Sequence, residues 1–478
     1  SWMILEKRHM LMQLLVKDRE FYKAAVLIAL PVVAQQMVNI GVNLADTIML
    51  GSLGEMQLSG SSLANQFFFI FSILCLGMGG GAAVMTGQYW GTEDRKSIHR
   101  TLSLMLRICT ILAMLFSALA FLYPTQIMTF YTKEAAVIES GAKYLKILAF
   151  TFLFHGLNLT TIIVLRTVGI VRLGFYNSCF SFAINIFLNW VFIFGNLGAP
   201  RLEIAGAALA TLIARMVEFS VTFGYVLFFD ERIRFRLKDV LDRIDRSIVQ
   251  QFVHIAVPVI ISDGLLTLGN NALAMIMGRM GAEMVAANAI TTVTVQLSTV
   301  FIMGLSSTSS VMTANTVGRG EYDKAQEQGV TFLVLSIIIG AFGGLLINGL
   351  KPLIVNYYNG TPQTKMIATQ LMSVVGFIVV FQAIQSVMTK GVLRGGGDTK
   401  FLMIADVLFL WIGSIPLGYL AAFVWKLPPY MVYFFLRIDF VIKSIWCVYR
   451  LKSKKWISSV YSMSRMETSK NSPDFLGS

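Results

Sequence analysis

Asp46, Asn185 and Asn189 are strong oxygen ligands set in sequence too apolar to hydrate them. Asn185 and Asn189 are four residues apart, so a helix places both amides on one face. A carboxylate and amide oxygens gathered in an apolar setting suit a small hard cation, because together they replace its water shell. Inserting an Asp at the bilayer centre costs ~2.5–3.5 kcal/mol on insertion scales, so a purely structural role for Asp46 needs a reason. Asn side chains also act as hydrogen-bonding glue between helices, which is the alternative use of either amide taken singly.

A second polar pattern leads into the first. Gln35, Asn39, Asn43 and Asp46 fall at i, i+4, i+8 and i+11, a stripe along one helix face that must meet protein or water. Asp263, Thr267 and Asn270/Asn271 form a shorter version. Gln35, Asn39, Asn43, Asp263 and Asn270 are therefore expected to line a substrate cavity, the alternative being interhelical hydrogen-bond seams. The remaining charges in apolar sequence read as structural: Arg215 with Glu218 at i,i+3, and Arg437 with Asp439 as a pair. Asp406 reads as a headgroup-level residue, Lys390 as a snorkelling cation, and His155 as a hydrogen-bonding packer. The four cysteines, Cys75, Cys109, Cys179 and Cys447, lie in apolar stretches without CxxC or metal spacing, and read as small hydrophobes.

The elements that must position these groups follow from composition. Of 478 residues 56% are hydrophobic and only 14% charged, against ~25% charged in a soluble domain; a water-soluble fold is excluded. Twelve apolar stretches, from 21–50 to 429–449, are each long enough to span a bilayer core of ~30 Å. The fold class expected is an all-α polytopic membrane protein, with twelve transmembrane helices in two pseudo-symmetric six-helix bundles. Its parts are an amphipathic segment 1–20, a first bundle 21–229, a charged linker 230–248, a second bundle 249–450 and a tail 451–478, disordered from about 451. The net charge of +13 follows from loop bias and not from a nucleic-acid partner. Connections after even-numbered spans carry fifteen Lys and Arg, and the alternate ones six, or eight with Lys143 and Lys146. That bias puts both termini in the cytoplasm.

The halves repeat. Val26-Leu-Ile-Ala-Leu-Pro-Val-Val matches Val253-His-Ile-Ala-Val-Pro-Val-Ile at an offset of 227, and Leu165-Arg-Thr-Val-Gly-Ile-Val-Arg matches Leu393-Arg-Gly-Gly-Gly-Asp-Thr-Lys at 228. Six spans per copy is even, so the copies are parallel, an arrangement that places transport substrates between halves near the midplane. The polar set breaks the repeat: Asp46 maps onto Leu273, and Asn185 and Asn189 onto Gly413 and Leu417.

Three motifs in order resemble the multidrug and toxic compound extrusion (MATE) transporters: Leu30-Pro31 with Ala45-Asp-Thr-Ile-Met-Leu-Gly51; Asn185-Ile-Phe-Leu-Asn189 through Gly195, with Gly206-Ala-Ala-Leu-Ala-Thr211; and Leu393 to Lys400. The resemblance covers about residues 20–450. It implies two six-helix bundles facing across a cleft, and export of amphipathic, often cationic, organic compounds driven by inward Na+ or H+. It implies no enzyme activity and no cofactor beyond the coupling ion, a plasma-membrane location, and lipid and small-molecule partners for a monomer. It places a cation site at Asp46, Asn185, Asn189 and Thr211. The acids some members carry in the second bundle fall on Leu266 and Ala383 here, leaving Asp263 as the candidate substitute. A lipid-linked oligosaccharide flippase is the competing expectation; it would show a cleft richer in Arg and Lys.

Overall fold

The computed structural model describes residues 15–462. Among them every regular element is helical. Spans 1 to 3 are Arg19–Gly51, Glu55–Gly91 and Arg95–Leu122; span 5 is Arg172–Phe194 and span 6 Ile204–Phe229. Spans 7 to 11 are Arg246–Arg279, Ala282–Gly318, Tyr322–Tyr357, Pro362–Gly395 and Thr399–Val424. These ten are each long and apolar enough to cross a membrane. Span 4 is a pair, Ala135–Leu148 and Thr151–Thr167, bent by 59°. Span 12 breaks at Arg437 into Pro429–Leu436 and Ile438–Lys452, each too short to pass alone. The twelve expected spans thus correspond to ten continuous helices, one bent pair and one broken helix.

Outer faces are apolar where a soluble protein's would be charged. Ile338, Phe342 and Leu345 recur at helical spacing along span 9, and all are more than half exposed. Backbone polar groups have no water partner in hydrocarbon, so helices are the natural answer for this composition. Three of the helices include wide, π-helical turns, at Tyr225–Phe229, Met388–Val392, Leu408–Ser414 and Leu420–Val424.

The chain packs as two compact units. One holds Ala34–Thr86 and Asp94–Ile260. Here Gly77 and Gly81 of span 2 are the close-approach residues. A Cβ on Gly81 would lie 2.4 Å from the Ala256 Cα, and one on Gly77 2.8 Å from that of Ile260. Small residues one turn apart let two helix backbones touch. The charged segment after span 6 is pinned to span 3 of the same unit. Arg107 donates to the Val240 and Asp242 carbonyls at 2.8 and 2.7 Å, and buried Asp230 accepts from the N–H groups of Arg232, Ile233 and Arg234 at 3.0–3.3 Å.

The other unit holds the chain up to Val33, Gly87–Glu93 and Ile261 onward. It contains two apolar cores, one around Leu371, Met372 and Leu436 and one around Phe332, Leu393 and Trp456. The second core corrects the reading of the tail as disordered from about 451. Trp456 is fully buried, its indole N–H donating to Gln326 Oε1 at 2.8 Å. The chain then crosses the end of span 10, Ser458 N–H donating to the Gly396 carbonyl at 2.7 Å, and Val460 N–H to Gln88 Oε1 at 2.8 Å. Residue composition misled there because only a few positions after 451 are apolar, and one Trp suffices to anchor the segment. The expected amphipathic segment up to residue 14 and the tail from residue 463 lie outside the described residues. Removing the anchor by Trp456→Ala should destabilise the detergent-solubilised protein by about 3–5 kcal/mol, read as a lowered thermal unfolding midpoint.

Candidate cation site

Span 5 presents Asn185 and Asn189 on one buried face because four residues bring the chain once round the helix. Span 1 passes close enough that Asn189 Nδ2 donates to Asp46 Oδ1 at 2.5 Å, and the same nitrogen donates to Asn185 Oδ1 at 3.2 Å. With both donor hydrogens spent in this way, Asn189 Oδ1 is left buried with no hydrogen-bond partner. An orphaned acceptor beside a carboxylate is an unfavourable arrangement unless a cation or a proton donor completes it. The donor set, one carboxylate and amide oxygens, fits Na+ or a proton better than a transition metal. No cluster of three or more His, Cys, Asp or Glu suited to a metal ion occurs among the described residues.

Thr211, partly buried on span 6, lies one turn before Arg215. The Tyr144 hydroxyl donates to Asn65 Oδ1 at 3.4 Å. Tyr144 and Asn65 went unmarked in the sequence: Tyr144 sits in the first limb of the bent span 4, and the bend that brings it inward has no proline to announce it. Beyond Tyr144 lies the Arg215–Glu218 pair, 2.8 Å apart and on one helix face as their spacing requires. Glu218 Oε2 also accepts from Asn158 Nδ2 at 3.4 Å. Asn158 Oδ1 takes a bond from Thr222 at 2.6 Å, and Thr222 takes one from Asn177 at 2.8 Å. Arg215 acts electrostatically on Asp46 as well. The site's carboxylate, Asp46, is held between spans 1 and 5, and the same unit carries the Tyr144–Asn65 bond of spans 4 and 2 and the Arg215–Glu218 network of spans 4, 5 and 6.

The polar stripes divide. Gln35 is a seam, its Oε1 accepting from Arg166 Nη2 of span 4 at 2.8 Å. Asn39 and Asn43 are exposed. In the second half, Asp263 is neutralised by Arg394 Nη2 at 3.2 Å, and Asn270 Oδ1 accepts from Arg437 Nη1 at 2.8 Å. His155 packs on Phe68 and bonds Ser72 at 3.1 Å. One expectation needs correction: Asp439 pairs with Lys443 and not with Arg437. Asp406 is buried, its Oδ1 3.2 Å from the Lys443 Nζ. Arg437 occupies the break in span 12, which turns its side chain away from Asp439 and toward Asn270.

Fold and site together define a polytopic helical membrane protein with a duplicated six-span plan and a polar site built into one copy. A family model for MatE matches residues 31–191 and 258–420, two blocks that begin 227 residues apart. The chain belongs to the MatE family. It is 25% identical over 439 residues to the probable multidrug resistance protein NorM of Thermotoga maritima, covering 91% of this chain and 93% of that one. It is 23% identical over 382 residues to the probable multidrug resistance protein YoeA of Bacillus subtilis, covering 78% and 81%. Among solved structures, the Vibrio cholerae MATE transporter VcmN in its bent form superposes with a TM-score of 0.81 at 16% identity, covering 91% and 97%.

Arg215→Met should leave Glu218 buried without its cation and cost about 3–5 kcal/mol. Adding Glu218→Gln should recover much of that loss. Thermal unfolding of these two variants and of Glu218→Gln alone in detergent measures the pair, and additive losses would show that the two residues do not interact.

Proposed function

We propose that this protein is a secondary active antiporter of the cell membrane, exporting amphipathic, often cationic, organic compounds in exchange for Na+ or H+. The observation that carries the reading is Asp46 hydrogen-bonded to Asn189, whose own carbonyl oxygen is left without a partner. A Na+ ion seated there would gain Asp46, Asn189 Oδ1 and a contribution from Asn185. A proton on Asp46 would cancel the charge that the network otherwise has to balance. Kinship with multidrug resistance proteins supports organic solutes as the cargo.

The mechanism is alternating access with competing occupancy. Asp46 takes the coupling ion when the site opens outward, which shifts the side chain's partners on spans 1 and 5 and lowers affinity for the organic cation. For the gradient to do work the ion must prefer one conformation over the other, since equal affinity shifts no population. Each positive charge moved inward gains ~2.3 kcal/mol per 100 mV of membrane potential. Asn39 and Asn43, exposed on the same helix as Asp46, are the polar contacts available to the solute. The transporter works as a monomer with both termini in the cytoplasm, and needs no cofactor besides the ion.

Efflux of a fluorescent organic cation from proteoliposomes, with Na+ and pH gradients imposed separately, tests this reading. One gradient should drive efflux in the wild type, and Asp46→Asn should reduce driven efflux to the leak seen without a gradient. Full gradient-driven efflux in Asp46→Asn would overturn the assignment.

A further inference from the structure

Spans 10 and 12 leave a groove between them in the later half of the chain. It holds about 660 Å³ and is walled by Gln370, Ser373 and Phe377 of span 10 and by Tyr430 and Phe434 of span 12. Spans 10 and 12 begin, at Pro362 and Pro429, on the membrane face where spans 9 and 11 end. The groove therefore has a headgroup end, at Tyr430, and a hydrocarbon end, at Phe377, which is 61% exposed.

The polar end is cationic and unbalanced. Lys351, near the end of span 9, donates to Ser373 Oγ at 2.9 Å, and Ser373 in turn donates to the Thr369 carbonyl at 3.0 Å. An ammonium has three donors, so two are left over, and no carboxylate pairs with Lys351 among the described residues. None is close in sequence either. No Asp or Glu occurs between Glu327 and Asp398, or between Asp406 and Asp439, while Lys365 and Lys426 add positive charge to the same face. The Gln370 amide and the Tyr430 phenol, both on the groove wall, take no side-chain hydrogen bond among the described residues.

The first half does not repeat this arrangement. At an offset of 228, Lys351, Gln370, Ser373 and Tyr430 fall on Tyr123, Ala142, Leu145 and Leu202. The matching region there carries acids beside its bases, and two of them are paired, Glu139 with Lys143 and Glu203 with Arg201. The duplicated scaffold does not require a cationic groove, so its polar end has a local use.

A phosphate supplies what this end lacks, an anion with several acceptors at the level where a bilayer keeps its headgroups. The apolar wall continues from there into the hydrocarbon, as an acyl chain does. A second copy of the chain does not fit, because facing copies would set Lys351 and its neighbours against each other with no acid to answer them. An organic cation is disfavoured for the same reason.

We propose that the groove between spans 10 and 12 binds an anionic phospholipid, its phosphate held by Lys351, Gln370 and Tyr430 and one acyl chain lying along Phe377 and Phe434. In the proposed orientation this is a lipid of the outer leaflet; the site itself depends neither on that orientation nor on the role of Asp46.

The test is native mass spectrometry of the full chain, delipidated in detergent and titrated with phosphatidylglycerol or with phosphatidylcholine of the same chains. Phosphatidylglycerol should bind the wild type about fivefold more tightly at a first site. Lys351→Gln should remove that preference, and Lys351→Arg should keep it. Val374→Trp, which fills the groove, should weaken the first binding of both lipids. Glycerol phosphate, an anionic headgroup without chains, should not compete at the lipid's own concentration. Equal binding of both lipids by the wild type, a preference that survives Lys351→Gln, unchanged binding in Val374→Trp, or displacement by glycerol phosphate would each overturn the proposal. None of these results bears on driven efflux through Asp46.

Discussion

A charge inside the bilayer must have a partner within reach, and in this protein a basic side chain at a repeated position supplies one in each half. Arg215 and Lys443 stand 228 residues apart in the sequence, each among carboxylates and each inside apolar helices. Surrounding packing follows from that requirement. Span 4 bends so that Asn158 can reach the first base's network, and span 12 breaks so that Arg437 and Lys443 can serve different partners. Apolar burial cannot specify such detail, because lipid tails are as apolar as Leu and give helices no hydrophobic reason to associate. Hydrogen bonds and close approach at glycines do that work here.

Much of the architecture was legible in the sequence. Length and apolarity gave the spans, and the repeat gave their grouping, because both depend on local composition. The i,i+4 spacing of Asn185 and Asn189 showed a shared face, but not that Asp46, 143 residues away in the chain, would meet it. Asp46 stood out as a carboxylate in apolar sequence that ends a polar stripe and lacks a counterpart in the second half. Lys443 did not stand out at all. A lysine in the last span reads as one that snorkels to the interface, and only the packing of span 11 against span 12 reveals that its ammonium is buried. Tyr144 was hidden for a similar reason, since a bend without proline or glycine at its corner leaves no local signal.

The stripes of polar residues are instructive because one pattern served two purposes. Gln35 and Asn43 lie on one helix face, yet Gln35 holds Arg166 while Asn43 is exposed. Periodicity says that a face is polar, and the neighbour decides whether it is a seam or a lining. Asp263 illustrates the same limit. It is an acid at nearly the expected depth, but Arg394 has already taken its charge.

The wide turns of span 11 bear on how such a helix is numbered against its relatives. An i→i+5 turn takes up a residue more than an α turn over nearly the same rise. Two of them, Leu408–Ser414 and Leu420–Val424, separate Asp406 from the end of that span. A relative lacking one turn would present each later residue rotated toward a different neighbour, even where letters align without a gap. Alignment columns beyond residue 408 therefore compare positions in the chain, while equivalence of surroundings has to be established turn by turn.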